Sequence, residues 1–320
     1  MTGPRSLLAA LVLTIAAASV LASTPDDLPL PADQVMYLPE NPGEDIGLPV
    51  GSTTAYAIGR SLQQQGQTEA ALVYLNRAYR LAPESQRIAR AYAQSLVEAG
   101  FVHDAARIYG DLVSVAPDDL EQRRQYALLL AQAGRPRLAL AQVQELKRRG
   151  VSDHMLTKLE ADLLGQLDRV DEAIEVYRKA AEQDPARAED YILAAGALLQ
   201  RHERFDDMAD LLRDGLEEVP VSRPLRVSLI RYLVHQDRLD AARDQAAQGD
   251  EARRRAGVSE RPDCSLELAE LVARRGDFGL AVEILEDARE RGFRDLELET
   301  RLGRYLLGLG NVEAALSVLP

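Results

Sequence analysis

Small and large apolar residues follow one another along this chain at offsets that repeat. From Gly59 to Pro83 it reads GRSLQQQGQTEAALVYLNRAYRLAP: a Gly, a Leu three residues on, a Gly four further, an Ala-Ala pair, then Leu75, Ala78 and a closing Pro. A shift of 34 residues gives AQSLVEAGFVHDAARIYGDLVSVAP, and Gly66, Ala71 and Pro83 become Gly100, Ala105 and Pro117. The same step leads to Gly134 and Ala139, then to Ala173 and Pro185. With one extra residue near Arg187 the register resumes at Gly196, Met208 and Pro220. Ala242 follows, then, after a longer insertion, Gly276 with Ala281, and finally Gly303, Gly310 and Ala315, which makes eight units with the last incomplete.

Each unit predicts two helices packed closely. Gly59, Ala93, Ala127, Ala161, Gly196, Ala269 and Gly303 let the second helix approach the first. Ala71, Ala105, Ala139, Ala173, Ala242, Ala281 and Ala315 do the same from the other side, and Leu62, Leu96, Leu130, Leu164, Leu199 and Leu233 supply the large partner. Gly66, Gly100, Gly134, Gly276 and Gly310 fall between the helices, where a turn needs positive φ. Pro83, Pro117, Pro185 and Pro220 end the second helix.

A 34-residue period is the signature of a stacked supersecondary unit, and from Ser52 to Pro320 the pattern resembles the tetratricopeptide repeat, an antiparallel helix pair. The resemblance implies an all-α, right-handed α-solenoid over 52–320, with repeats at about 52–85, 86–119, 120–153, 154–187, 189–222, 223–256, 262–295 and 296–320. The chain departs from the family where a large aromatic is often found early in the first helix. Ala55, Ala89, Arg123, Thr157, Ile192, Arg226, Ser265 and Glu299 stand there, which predicts thin packing between repeats and a pliable solenoid. Unit six departs furthest. Ile230 occupies the small position, Arg254 replaces the Pro, and the insertion DEARRRAGVSERP, Asp250 to Pro262, predicts a bend or a lengthened helix. The eighth unit stops at LSVLP with Leu316 and Leu319 uncovered, which points to truncation from a longer protein.

Composition agrees with the helical pattern. Hydrophobic residues make up 46% of the 320 positions, aromatics only 5%, and Trp is absent, so Ala and Leu fill the interior. A net charge of -13 argues against nucleic acid and against anionic lipid as partners. Arg5 precedes an apolar run from Leu7 to Leu21, and Val20-Leu21-Ala22 offers a cleavage site before Ser23. Residues 1–22 therefore predict a cleaved signal and export to a bacterial periplasm. The alternative is an uncleaved anchor, for which the run is short of the ~20 residues needed to cross a bilayer. Residues 23–51 form an arm with six prolines, the acids Asp26, Asp27, Asp33, Glu40, Glu44 and Asp45, and no base, which predicts extended or disordered chain. Within it Val35 to Leu38 is an apolar island able to dock on the repeats.

No catalytic chemistry is indicated. His103, His154, His202 and His235 fall in different units at unrelated positions, with no metal-ligand spacing, and no cofactor or metal is expected. Cys264, the single cysteine, has no nearby His and excludes an internal disulfide. Asp206 and Asp207 sit at a helix start, where carboxylates favour the dipole.

The resemblance implies instead a groove lined by the first helices. Its positions map in the first four units to Tyr56, Arg60, Gln63, Gln64, Arg87, Arg90, Gln94, Glu98, Glu121, Arg124, Gln132, Lys158, Asp162 and Gln166. Five bases against three acids give a positive lining on an acidic protein, and predict a protein or peptide partner bearing carboxylates. The acidic arm, 23–50, is an alternative occupant from the same chain. Membrane association is expected only through the signal, an anchor or the partner. Two function classes follow: an exported, non-catalytic scaffold in cell-envelope assembly or export, or the leading part of a larger outer-membrane or polysaccharide-export protein.

Overall fold

The structure, a computed structural model, describes residues 51–318. The expectations placed on the signal, on the arm as far as Val50 and on Leu319 lie outside the described residues.

The helices follow the period of small residues. In chain order they are α1 (Ser52–Gln64) and α2 (Thr68–Leu81), α3 (Gln86–Glu98) and α4 (Val102–Val115), α5 (Leu120–Gln132) and α6 (Pro136–Arg148). Next come α7 (His154–Gln166) and α8 (Val170–Gln183), α9 (Ala188–Arg201) and α10 (Phe205–Glu218), α11 (Arg223–His235) and α12 (Leu239–Arg255). The last are α13 (Asp263–Arg274) and α14 (Phe278–Glu290), α15 (Leu296–Gly308) and α16 (Val312–Val318). No strand occurs among the described residues, so the all-α repeat architecture stands. The extra residue near Arg187 is taken up by a single 3-10 turn, Pro185–Arg187. Helices α2, α4, α8 and α10 each stop two residues before the proline that the pattern marks as a terminator.

The turn inside every pair carries one residue of positive φ, from Gly66 at 73° to Gly310 at 76°. Five of these residues are the predicted glycines, but in three units the place is held by Asp168, Glu203 and Asp237, at φ of 59°, 58° and 57°. The turn geometry is thus common to all units even where the residue that favours it is missing.

The chain divides after Asp168 into two compact units. In the first, α1 to α7 stack with small residues at the contacts. A Cβ placed on Gly59 would meet Leu75 Cγ at 2.6 Å, so α1 and α2 approach as they do only because the side chain is absent. Ala71, Ala93, Ala105, Ala127, Ala139 and Ala161 are fully buried. Tyr79 of α2 and Tyr92 of α3 pack with ring centroids 5.4 Å apart, and burial pushes the Tyr92 hydroxyl up to about 12.

At two of the positions where the aromatic is missing, an arginine fills the junction. Arg123, buried, donates to the Pro117 carbonyl at 3.0 Å and to Gln142 Oε1 at 2.7 Å, so its guanidinium closes the junction between repeats. In the second unit Arg226 makes the same two bonds at the same spacings, to the Pro220 carbonyl at 3.2 Å and Gln245 Oε1 at 2.8 Å. Thr157 and Ser265 at the corresponding positions are buried too.

The second unit keeps Ala173, Ala242, Ala269, Ala281 and Ala315 fully buried. Its irregular repeat lengthens α12 to 17 residues, as the insertion predicts. Ahead of the added turn, Gly249 and Asp250 lie in the interior beside the start of α13. A Cβ on Gly249 would lie 2.9 Å from Cys264 Sγ and 3.0 Å from Arg226 Cγ, so no larger residue fits there without a shift.

Candidate functional site

The first helices of the first unit bring most of the predicted lining together. Arg87 of α3 lies over the Tyr56 ring of α1, its Cζ 5.1 Å from the centroid, a cation–π contact between neighbouring repeats. Two to three turns along, Gln63 of α1 donates to both oxygens of Glu98 on α3, at 2.9 and 2.8 Å, and Gln94 donates to the same carboxylate at 3.2 Å. Arg60 donates to Gln63 Oε1 at 2.6 Å. Tyr56, Arg60, Gln63, Arg87 and Gln94 therefore share one continuous polar face on α1 and α3.

The next positions behave differently. Arg124 of α5 is ion-paired with Asp153 at 2.6 Å, and Asp153 is the residue that caps α7 by accepting from the Leu156 amide at 2.9 Å. That guanidinium holds the Asp153 carboxyl below the usual carboxylate range. Arg90 acts on Asp119, the cap of α5, only through its charge: Asp119 accepts from the Gln122 side chain and amide, which depress its pKa most, and the Arg90 charge adds to them. The positive excess counted along the groove is thus smaller than five against three, because the capping aspartates sit one residue before their units begin and fall outside that count. Lys158 is exposed on α7, away from the α1–α3 cluster.

In the second unit the cations on the first helices are shared with carboxylates of an adjacent repeat. Glu267 of α13 takes Arg231 at 2.6 Å and Arg223 at 3.7 Å. Glu270 takes Arg304 at 3.2 Å and the Tyr305 hydroxyl at 2.8 Å. On this face, between α9, α10 and α11, lies a cavity of about 620 Å³ that the mapping of the first four units does not reach. Continuing the same groove positions into units five and six finds it, since they include Leu193, Ala197, Gln200, Arg231 and His235.

The histidines occupy separate elements, His103 on α4, His154 on α7, His202 at the end of α9 and His235 on α11. Among the described residues no group of three or more His, Cys, Asp or Glu side chains is placed to hold a metal ion. Cys264 is fully buried, and its thiol is pushed up to about 12, chiefly by burial and then by the Asp250 charge. No helix among the described residues is long and apolar enough to cross a membrane.

The family profile of the tetratricopeptide repeat matches residues 56–113, 93–154 and 126–188. No curated protein matches the chain in sequence. Among solved structures the chain is similar to a tetratricopeptide repeat protein from Parabacteroides merdae ATCC 43184, at 13% identity and TM-score 0.45 over 80% of this chain and 98% of that one. It is similar also to MamA, residue 41 to the end, from Desulfovibrio magneticus RS-1, at 17% identity and TM-score 0.43 over 55% and 99% of the two chains. A third is YrrB, described as a TPR protein with an unusual peptide-binding site, at 18% identity and TM-score 0.43 over 54% and 89%.

Proposed function

Since residues 56–188 are tetratricopeptide repeats, we propose that the chain is a non-catalytic scaffold that binds a carboxylate-bearing segment of a partner protein on the face of α1 and α3. The observation that carries this reading is the Arg87–Tyr56 contact: a guanidinium held over an aromatic ring rather than by an acid keeps its in-plane donors available to a ligand. Arg60 on the same face is bound to the Gln63 amide oxygen rather than directly to an acid, the Glu98 carboxylate being taken by Gln63 and Gln94. Arg124 contributes less, because Asp153 already holds it.

The segment at 1–22 supports export to a bacterial periplasm, where such a scaffold serves envelope assembly or export. Mass spectrometry of the chain recovered from the periplasmic fraction of a Gram-negative host is expected to give a first residue of Ser23. Recovery only in the cytoplasm with Met1 intact ends that part of the reading.

The binding test compares the full mature chain with an Arg60→Glu/Arg87→Glu variant and an Arg124→Glu variant, each checked for helicity, as baits for envelope extract. A partner held by the parent is expected to be lost from the double variant and largely retained by Arg124→Glu. Equal capture by all three shows that α1 and α3 are not the site.

A further inference from the structure

We propose that the cavity between α9, α10 and α11 is a second binding pocket, which takes one bulky apolar side chain of a partner segment with a carboxylate next to it. Its size, about 620 Å³, lies in the range of ligand pockets and exceeds what a single large side chain needs. Leu193 and Ala197 of α9 and Phe205, Met208 and Leu212 of α10 give it an apolar wall. Phe205 remains 40% exposed, although a ring at the mouth of a pocket has most to gain from an apolar neighbour.

Two of the polar groups that reach the lining are engaged elsewhere. The Tyr232 hydroxyl donates to Asp206, and Ser228 Oγ donates to the Pro224 carbonyl at 2.9 Å. Neither competes for a ligand, and Gln200, His235 and Gln236 complete the lining. The apolar wall selects an apolar side chain, and the two glutamine amides offer donors and acceptors to the polar groups beside it.

The rim supplies the sign of what flanks it. No carboxylate lines the cavity, and the charged group that does is Arg231. Arg231 shares Glu267 with Arg223, so two guanidiniums meet one carboxylate and a positive charge is left over. The contact to Glu267 within hydrogen-bond distance uses one terminal nitrogen of Arg231, at 2.6 Å, and Arg231 itself lines the cavity with the rest of its donor fork unspent. His235 stands on the same rim. An acidic residue beside the apolar anchor is therefore favoured and a basic one is opposed. The pocket does not depend on the α1–α3 face, and the test keeps the two apart.

Two acetylated, amidated peptides serve as probes: Ser-Glu-Xaa-Glu-Ser and Ser-Lys-Xaa-Lys-Ser, where Xaa is para-fluorophenylalanine followed by fluorine NMR. Added to the full mature chain, the Glu-flanked probe is expected to bind at least about fivefold more tightly than the Lys-flanked one. Ala197→Phe, which fills the cavity from an exposed helical position, is expected to abolish binding of the Glu-flanked probe, and Phe205→Ala to weaken it severalfold if the filled variant does not fold. Arg231→Gln is expected to erase the preference between flanks while some binding of both remains. Arg60→Glu/Arg87→Glu is expected to leave the signal unchanged. The proposal is overturned if Ala197→Phe and Phe205→Ala both bind as the parent does, if the Lys-flanked probe binds as well as the other, or if the signal follows the α1–α3 variant instead. It is overturned also if Ala197→Phe turns a dimer into a monomer in sedimentation, since the occupant is then a second copy.

Discussion

The starts of α7 and α13 meet the same requirement in two ways. The first amides of a helix have no partner within it. At α7 the residue immediately before the helix meets the need: Asp153 accepts from the Leu156 amide at 2.9 Å from a side chain that is 40% exposed. At α13 the preceding residue is Pro262, which has no capping side chain. The acceptor comes instead from within α12, the second helix of the preceding repeat. Asp250, fully buried, takes the Cys264 amide at 2.8 Å, the Ser265 amide at 3.1 Å and the Ser265 hydroxyl at 2.6 Å. A cap is thus a demand of the helix end rather than a property of the residue before it. Supplied from a distance, it also ties two repeats together.

The largest effect that separates the two caps is expected from Asp250→Ala. It leaves two amides and the donated proton of the Ser265 hydroxyl without an acceptor in the interior, at a cost of roughly 3 kcal/mol or more, whereas Asp153→Ala removes a solvent-exposed cap worth about 1 kcal/mol. The single cysteine provides a local reading, because Cys264 is fully buried and its thiol reacts only when the start of α13 opens. Labelling by a disulfide reagent in native buffer is expected to speed up at least about tenfold in Asp250→Ala and to be unchanged in Asp153→Ala. Equal rates in the two variants remove the distinction between a local cap and a tie between repeats.

What the sequence discloses divides along the same line. The helix pairs, the turn glycines and the terminating prolines are legible because each depends on residues a few positions apart. The lengthening of α12 is legible from the insertion at Asp250 to Pro262. The role of Asp250 is not, since its bonds reach 14 and 15 residues ahead across a turn that no local rule fixes. Nor are Asp168, Glu203 and Asp237 legible as left-handed residues, because the neighbouring turn imposes on them a φ that their types do not favour. On the candidate face, the Tyr56–Arg87 and Gln63–Glu98 contacts join positions that the repeat register already aligns. The neutralising of Arg124 by Asp153 lies outside that register, and with it goes part of the positive lining.

The smallest expected effect is the most discriminating, because the two caps differ in the sign of their pH dependence. Hydrogen bonding from Arg124 holds the Asp153 carboxyl below its usual value, so in the window up to 3.8 the unfolded chain binds the proton more readily than the folded one. Stability from this cap is complete above that window and is lost as the pH falls through it. Burial raises the Asp250 carboxyl, against the hydrogen bonds from Ser265 and Cys264 and the charge of Arg291, which act to lower it. Here the folded chain binds the proton more readily, so stability is highest at or below 3.8 and declines as the pH rises towards the raised value. Urea midpoints of the parent, Asp153→Asn and Asp250→Asn, taken in steps from acid to neutral pH, measure this. The advantage of the parent over Asp153→Asn is expected to grow with pH and then level off, at under about 1 kcal/mol because solvent screens an exposed pair. Its advantage over Asp250→Asn is expected to shrink over the same range. If both differences move in the same direction, burial does not dominate the titration of Asp250, and the remote cap is a longer version of the local one.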